Sequence, residues 1–168
     1  MMTKTAVSLL LFLTGMAPLP CAAADGGMLS VQRTAPFEEG LTVPEGAKKC
    51  LLETSIPGYI RSFALAAFDD VVLVDQVKET AGPALRVTIK DVSGAGGGAW
   101  SGPRYLIISG TLWKDGAVAG TFVARRTSGG VLSSCRLLDR CAMALGKDVA
   151  KWLRDPTMNA RLGEFYKK

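Results

Sequence analysis

The chain has 168 residues, with 20 Lys and Arg against 15 Asp and Glu for a net charge of +5, and 48% of its residues are hydrophobic. That length suits one domain with a core of its own. It holds no His, which excludes Ser-His-Asp and Cys-His nucleophile activation, imidazole zinc sites and the usual general base near neutral pH.

Met1 to Lys4 form a short basic region, Ala6 to Ala17 an apolar run, and Ala22-x-Ala24 a small-residue cleavage site. Together they read as a secretory signal over residues 1–24. An apolar run of about a dozen residues is shorter than the roughly 20 that span a bilayer, so no transmembrane segment is expected in the mature chain. The expected localisation is periplasmic. Secretion is one alternative, and a lipid anchor through Cys21 is another, weakened by Pro20 where lipoprotein signals carry a small residue.

Residues 25–46 hold Pro36, Gly40, Pro44 and Gly46 and read as a leader with one short strand near Leu29 to Arg33. The domain itself is expected over 47–156. Ser55-Ile56-Pro57 reads as a cap and an early-helix Pro, and Ile60, Phe63, Ala64, Ala67 and Phe68 give one buried face, so a helix is expected from about Pro57 to Phe68. Val71 to Val74 is apolar on both faces, as in an inner strand. Leu85, Val87 and Ile89 alternate with Arg86, Thr88 and Lys90, giving a strand with one core face. Tyr105 to Trp113 and Ala117 to Thr127 form a hairpin about Lys114-Asp115-Gly116.

The last helix carries Leu138, Cys141, Ala142, Leu145, Val149, Trp152 and Leu153 on one stripe. Gly146 within it suggests a close approach of helix to sheet. Asp155-Pro156 ends it, and residues 157–168 are expected to be a flexible tail. The resulting fold class is α+β: one antiparallel sheet of four to five strands with the helices packed on one face.

Removal of the signal leaves Cys50, Cys135 and Cys141, an odd number that allows one bridge and one free thiol. Ser134 to Asp155 reads as a helix, and within a continuous helix Cys135 and Cys141 point apart, about 9 Å from each other, beyond a bridge. If the helix instead starts near Leu138 or Asp139, Cys135 lies in the approach loop and can fold back onto Cys141, and Cys135–Cys141 is the favoured disulfide. A bridge from Cys50 to either partner is the alternative. With no Cys-x-x-Cys and no His, neither a metal nor a cofactor is expected.

Five Gly and Trp100 punctuate Ser93 to Pro103. The segment leads into a strand and holds no Lys, which excludes a phosphate loop. Either Trp100 tucks onto the sheet or it forms an exposed lip that contacts a partner. The second candidate region is the end of the hairpin strands, with Arg104 and Tyr105 opening one and Arg125, Arg126 and Ser128 closing the other. Because consecutive strand residues point to opposite faces, one of Arg125 and Arg126 must sit at the helix-covered side. There it pairs with Asp139 or Asp148, or it builds an anion site with the amides of Ser128-Gly129-Gly130.

With GGGAWSG at Gly96 to Gly102, ARRTSGG at Ala124 to Gly130, and CRLLDRCAMALGKDVAKWL at Cys135 to Leu153, the chain resembles a family of uncharacterised exported proteobacterial proteins over roughly Ala47 to Pro156. That resemblance implies export and no assigned activity. The order of strands and helices is more loosely similar to small envelope lipoprotein domains that bind other envelope proteins, which implies a binding role. The expected function is thus a periplasmic or envelope accessory module, not an enzyme. It would bind an envelope protein or an anionic envelope component through Trp100, Arg104, Tyr105, Arg125, Arg126 and Ser128. The charge is too diffuse for nucleic acid. A small envelope hydrolase, or an inhibitor of an envelope enzyme, is the alternative.

Overall fold

A computed structural model describes residues 27–93, 102–130 and 132–166, and these residues form six strands and three α-helices. The signal segment with Cys21, and Trp100 with most of its glycine-rich loop, lie outside these residues. In chain order the elements are β1 (Met28–Gln32), α1 (Glu45–Lys48), α2 (Leu52–Ala64), β2 (Asp70–Val74), β3 (Ala84–Val92), β4 (Arg104–Lys114), β5 (Ala117–Ser128), α3 (Ser134–Trp152) and β6 (Ala160–Gly163), with a 3-10 turn at Glu164–Tyr166.

The strands form one sheet in the order β2-β1-β3-β4-β5-β6. β3, β4 and β5 are the antiparallel meander the alternating pattern predicts, but β1 runs parallel to both β2 and β3, and β6 runs parallel to β5. The sheet is therefore mixed and has six strands rather than four or five. The extra strands come from the segments read as leader and tail. Leu29 and Val31 of β1 are fully buried between two neighbouring strands, so this segment belongs to the core. Residues 160–163 of the expected flexible tail form an ordered edge strand.

β2 is the other edge, not an inner strand. Strand residues direct their N–H and C=O groups alternately to either side. The Val74 carbonyl accepts the Arg33 N–H at 2.7 Å, so those of Val71 and Leu73 face outward. Arg61 Nε donates to the first and Arg33 Nη2 to the second, each at 3.0 Å. Two guanidinium groups thus cap a strand edge that would otherwise be free to pair.

Leu52, Ile56, Ile60 and Ala64 form the buried stripe of α2. The helix begins five residues before the expected start, because Pro57 lies inside it rather than in its first turn. A Pro has no N–H for the carbonyl four residues back. That carbonyl, on Glu53, instead accepts the Ala35 N–H at 2.8 Å, so the missing helical bond becomes a tie to the segment after β1. α3 lies beside α2, and the two cover the face of the sheet that carries Leu106, Ile108, Leu112, Phe122 and Ala124. At Gly146 an added Cβ would lie 2.7 Å from the Cβ of Tyr59. The close approach is therefore helix to helix, not helix to sheet. In the hairpin, Asp115 and Gly116 take φ of 51° and 85°, the left-handed pair that a two-residue turn requires.

The disulfide joins Cys50 to Cys135, with Cα atoms 5.0 Å apart, which corrects the Cys135–Cys141 expectation. α3 starts at Ser134, capped by the Ser133 side chain. Cys135 and Cys141 thus both lie in the helix, about 9 Å apart along and around it, beyond the reach of a bridge. Cys141 is free and buried.

Candidate functional site

β4 and β5 pair with Arg104 opposite Ser128, Tyr105 opposite Thr127, Leu106 opposite Arg126 and Ile107 opposite Arg125. The register thus brings five of the six sequence-predicted residues to one end of the hairpin. Trp100, the sixth, lies outside the described residues. Opposite residues share a face, and faces alternate along each strand. Arg104, Arg126 and Ser128 therefore sit on the helix-covered side, and Tyr105 and Arg125 on the uncovered side.

On the covered side Arg104 is buried and reaches the Ser134 hydroxyl at 3.3 Å. Arg126 donates two bonds of 2.6 Å to the Asp148 carboxylate, one of the two ion pairs the sequence allows. Those bonds raise the guanidinium pKa further, and they commit Arg126 to α3. Below it, the Cys141 thiol points at the Arg104 carbonyl at 3.6 Å. Burial pushes this thiol up to about 11, so it stays protonated at neutral pH.

On the uncovered side the Arg125 guanidinium lies over the Tyr105 ring, 5.1 Å from its centre. The Tyr105 hydroxyl donates to Asp91 at 3.0 Å, and this bond raises the phenol above its ordinary value. Glu164, from the 3-10 turn after β6, completes the cluster. Its two carboxylate oxygens accept the Thr127 N–H at 2.8 Å and the Thr127 hydroxyl at 2.6 Å, and one lies 4.0 Å from Arg125 Nε. Partial burial opposes ionisation of Glu164, but the Thr127 bonds and the Arg125 and Arg126 charges outweigh it and hold the carboxyl below its usual range. Arg125 Nε is itself buried with no hydrogen-bond partner among the described residues.

The strand end thus holds a carboxylate, in an arrangement different from the anion site of the sequence reading. Thr127 supplies the amide and hydroxyl, rather than the amides of Ser128 to Gly130, and the anion is the chain's own carboxylate. Asp91, Thr127 and Glu164 carried no signal in the sequence, since each depends on register or on a tail read as flexible. No group of three or more metal-ligating side chains occurs among the described residues. Nor is any helix among them long and apolar enough to cross a membrane.

The chain matches no protein-family model and no curated protein. Its fold does match solved structures. Protein XCC0632 from Xanthomonas campestris, of the family DUF330, is 14% identical and superposes with a TM-score of 0.50 over 80% of this chain and 87% of that one. The PelC dodecamer from Paraburkholderia phytofirmans is also 14% identical, with a TM-score of 0.45 over 78% of this chain and 93% of that one. At such identities the likeness to the Xanthomonas protein is one of fold, an α+β chain with a mixed sheet.

Proposed function

We propose that the chain is a non-catalytic accessory module of the cell envelope that binds another envelope component at the β4–β5 strand end. The observation that carries this reading is the Tyr105-Arg125 pair on the uncovered sheet face. A guanidinium over an aromatic ring whose hydroxyl is held by a carboxylate is an amphipathic contact of the kind enriched at interfaces. Val123, beside it on the same strand, is 39% exposed and adds apolar area. The Cys50–Cys135 bridge supports an oxidising compartment, in keeping with the signal-like residues 1–24. The test is crosslinking in intact cells followed by capture, comparing wild type with Tyr105→Ala/Arg125→Glu. A specific envelope component should crosslink to wild type and be lost in the double variant. Identical crosslinking patterns from the two would overturn the reading.

A further inference from the structure

Every strand except β6 contributes at least one fully buried side chain to the core; along 154–165 no residue is buried, although this segment covers the edge of β5 from Thr121 to Thr127. Thr121 N–H donates to the Thr157 carbonyl, Phe122 to Arg125 pair with Ala160 to Gly163, and Thr127 N–H is taken by the Glu164 carboxylate. A groove of about 580 Å³ lies between α3 and β6, lined by Trp152, Lys151 and Leu162 among others, so the helix covers the strand only in part. The segment is held by main-chain bonds, the Glu164 carboxylate, the Trp152 indole N–H on the Thr157 carbonyl at 3.3 Å and partial packing of Ala160 and Leu162 on the core. With no fully buried side chain of its own it is the class of element that opens locally before the rest of a fold. It also leaves Arg125 Nε unsatisfied among the described residues.

From this we infer that the β5 edge is an acceptor for an extended, carboxylate-bearing segment of a partner protein, and that the chain's own 157–166 segment is its resident competitor. The seated segment shows what fits. Its strand runs parallel to β5, and a small residue at the position of Gly163 brings the chain against the Arg125 carbonyl, where an added Cβ would lie 2.3 Å away. The carboxylate on the next residue then meets the amide and hydroxyl of Thr127. A partner whose carboxylate also reaches Arg125 Nε makes a bond that the resident segment does not. This is recognition by strand addition, with main-chain bonds giving affinity and one side-chain site giving selectivity. The inference rests on the binding reading above and specifies its partner.

The test uses the full-length chain and a fluorescein-labelled peptide of residues 157–166, read by anisotropy. Wild type should bind weakly, because a tethered competitor acts at an effective concentration in the millimolar range. Glu164→Ala in the full chain should bind the peptide at least tenfold more tightly, and a peptide carrying Glu164→Gln should lose that gain. Circular dichroism verifies the fold of the variant; if Glu164→Ala does not fold, Glu164→Gln in the full chain takes its place. Equal affinities for wild type and variant, equal binding of both peptides, or no binding at all would overturn the inference. A peptide result as expected beside a failed crosslink removes the Tyr105-Arg125 surface and leaves the acceptor edge standing. The reverse outcome keeps the surface and removes the edge.

Discussion

Arg125 and Arg126 are adjacent in sequence and serve different structures, because a strand turns each to its own side. Arg126 makes a two-pronged bond with Asp148 in a partly buried setting, with side-chain exposures of 32% and 17%. Asp148→Asn should therefore cost about 1–3 kcal/mol in urea unfolding, the range for hydrogen bonds to charged groups. Arg125→Ala should cost within about 1 kcal/mol, since its ion pair and ring contact are half-exposed. Glu164 gives a pH signature. Its folded value lies below the ordinary 4.5, so its stabilisation is complete above that pH and is lost as pH falls through the folded value. Below pH 4.5 the stability of Glu164→Gln should accordingly fall less steeply than that of wild type.

Among the elements, α3 carries the most consequences. Its first turn is tied to Cys50 by a bridge that closes a sequence separation of 85 residues. By the chain-entropy relation such a loop stabilises by about 4.6 kcal/mol, and Cys50→Ser should lower urea stability by that order. Non-reducing peptide mapping should recover Cys50 linked to Cys135, with Cys141 alkylated only after unfolding. In the middle of α3, Gly146→Ala would gain about 1 kcal/mol of helix propensity. However, its Cβ would meet the Tyr59 Cβ at 2.7 Å and the Tyr59 carbonyl carbon at 3.0 Å, atoms too close to the α2 backbone to move aside. The net effect should be a loss of about 1–3 kcal/mol. Periodicity made the stripe of α3 and the β3-β4-β5 meander legible, because each records its own burial in its own residues. The disulfide was legible only as a choice: the sequence allowed a helix from Ser134, which rules out Cys135–Cys141, or one from Leu138 or Asp139, which permits it, and the Ser133 cap decides for the first. Tyr105, Arg125 and Arg126 were readable as a strand end, whereas Glu164 comes to it from the far end of the chain by a pairing no local pattern records.

For the whole molecule, β1, expected as a short strand but not as part of the core sheet, and β6, not expected at all, join the sheet only through parallel pairing, which needs distant partners and leaves a short strand with little pattern of its own. Their positions differ sharply in protection. Hydrogen exchange should be slowest for amides of β1, β3 and β4, which sit inside the sheet, and fastest among strands for β6; a β6 as slow as β1 would show the edge to be locked. The two borders of the sheet are also unequal. One ends on arginine side chains bonded across the outward carbonyls of β2, which no incoming chain can displace without stripping two charge-assisted bonds. The other is closed by a detachable segment. Growth of a filament by stacking sheet on sheet needs two receptive borders per subunit, one to receive and one to offer. With a single receptive border, copies that meet through their strands can make a pair and then must stop, so loss of the terminal segment should limit strand-to-strand association to a dimer, whereas loss of Arg33 and Arg61 would free the border that keeps the count at two.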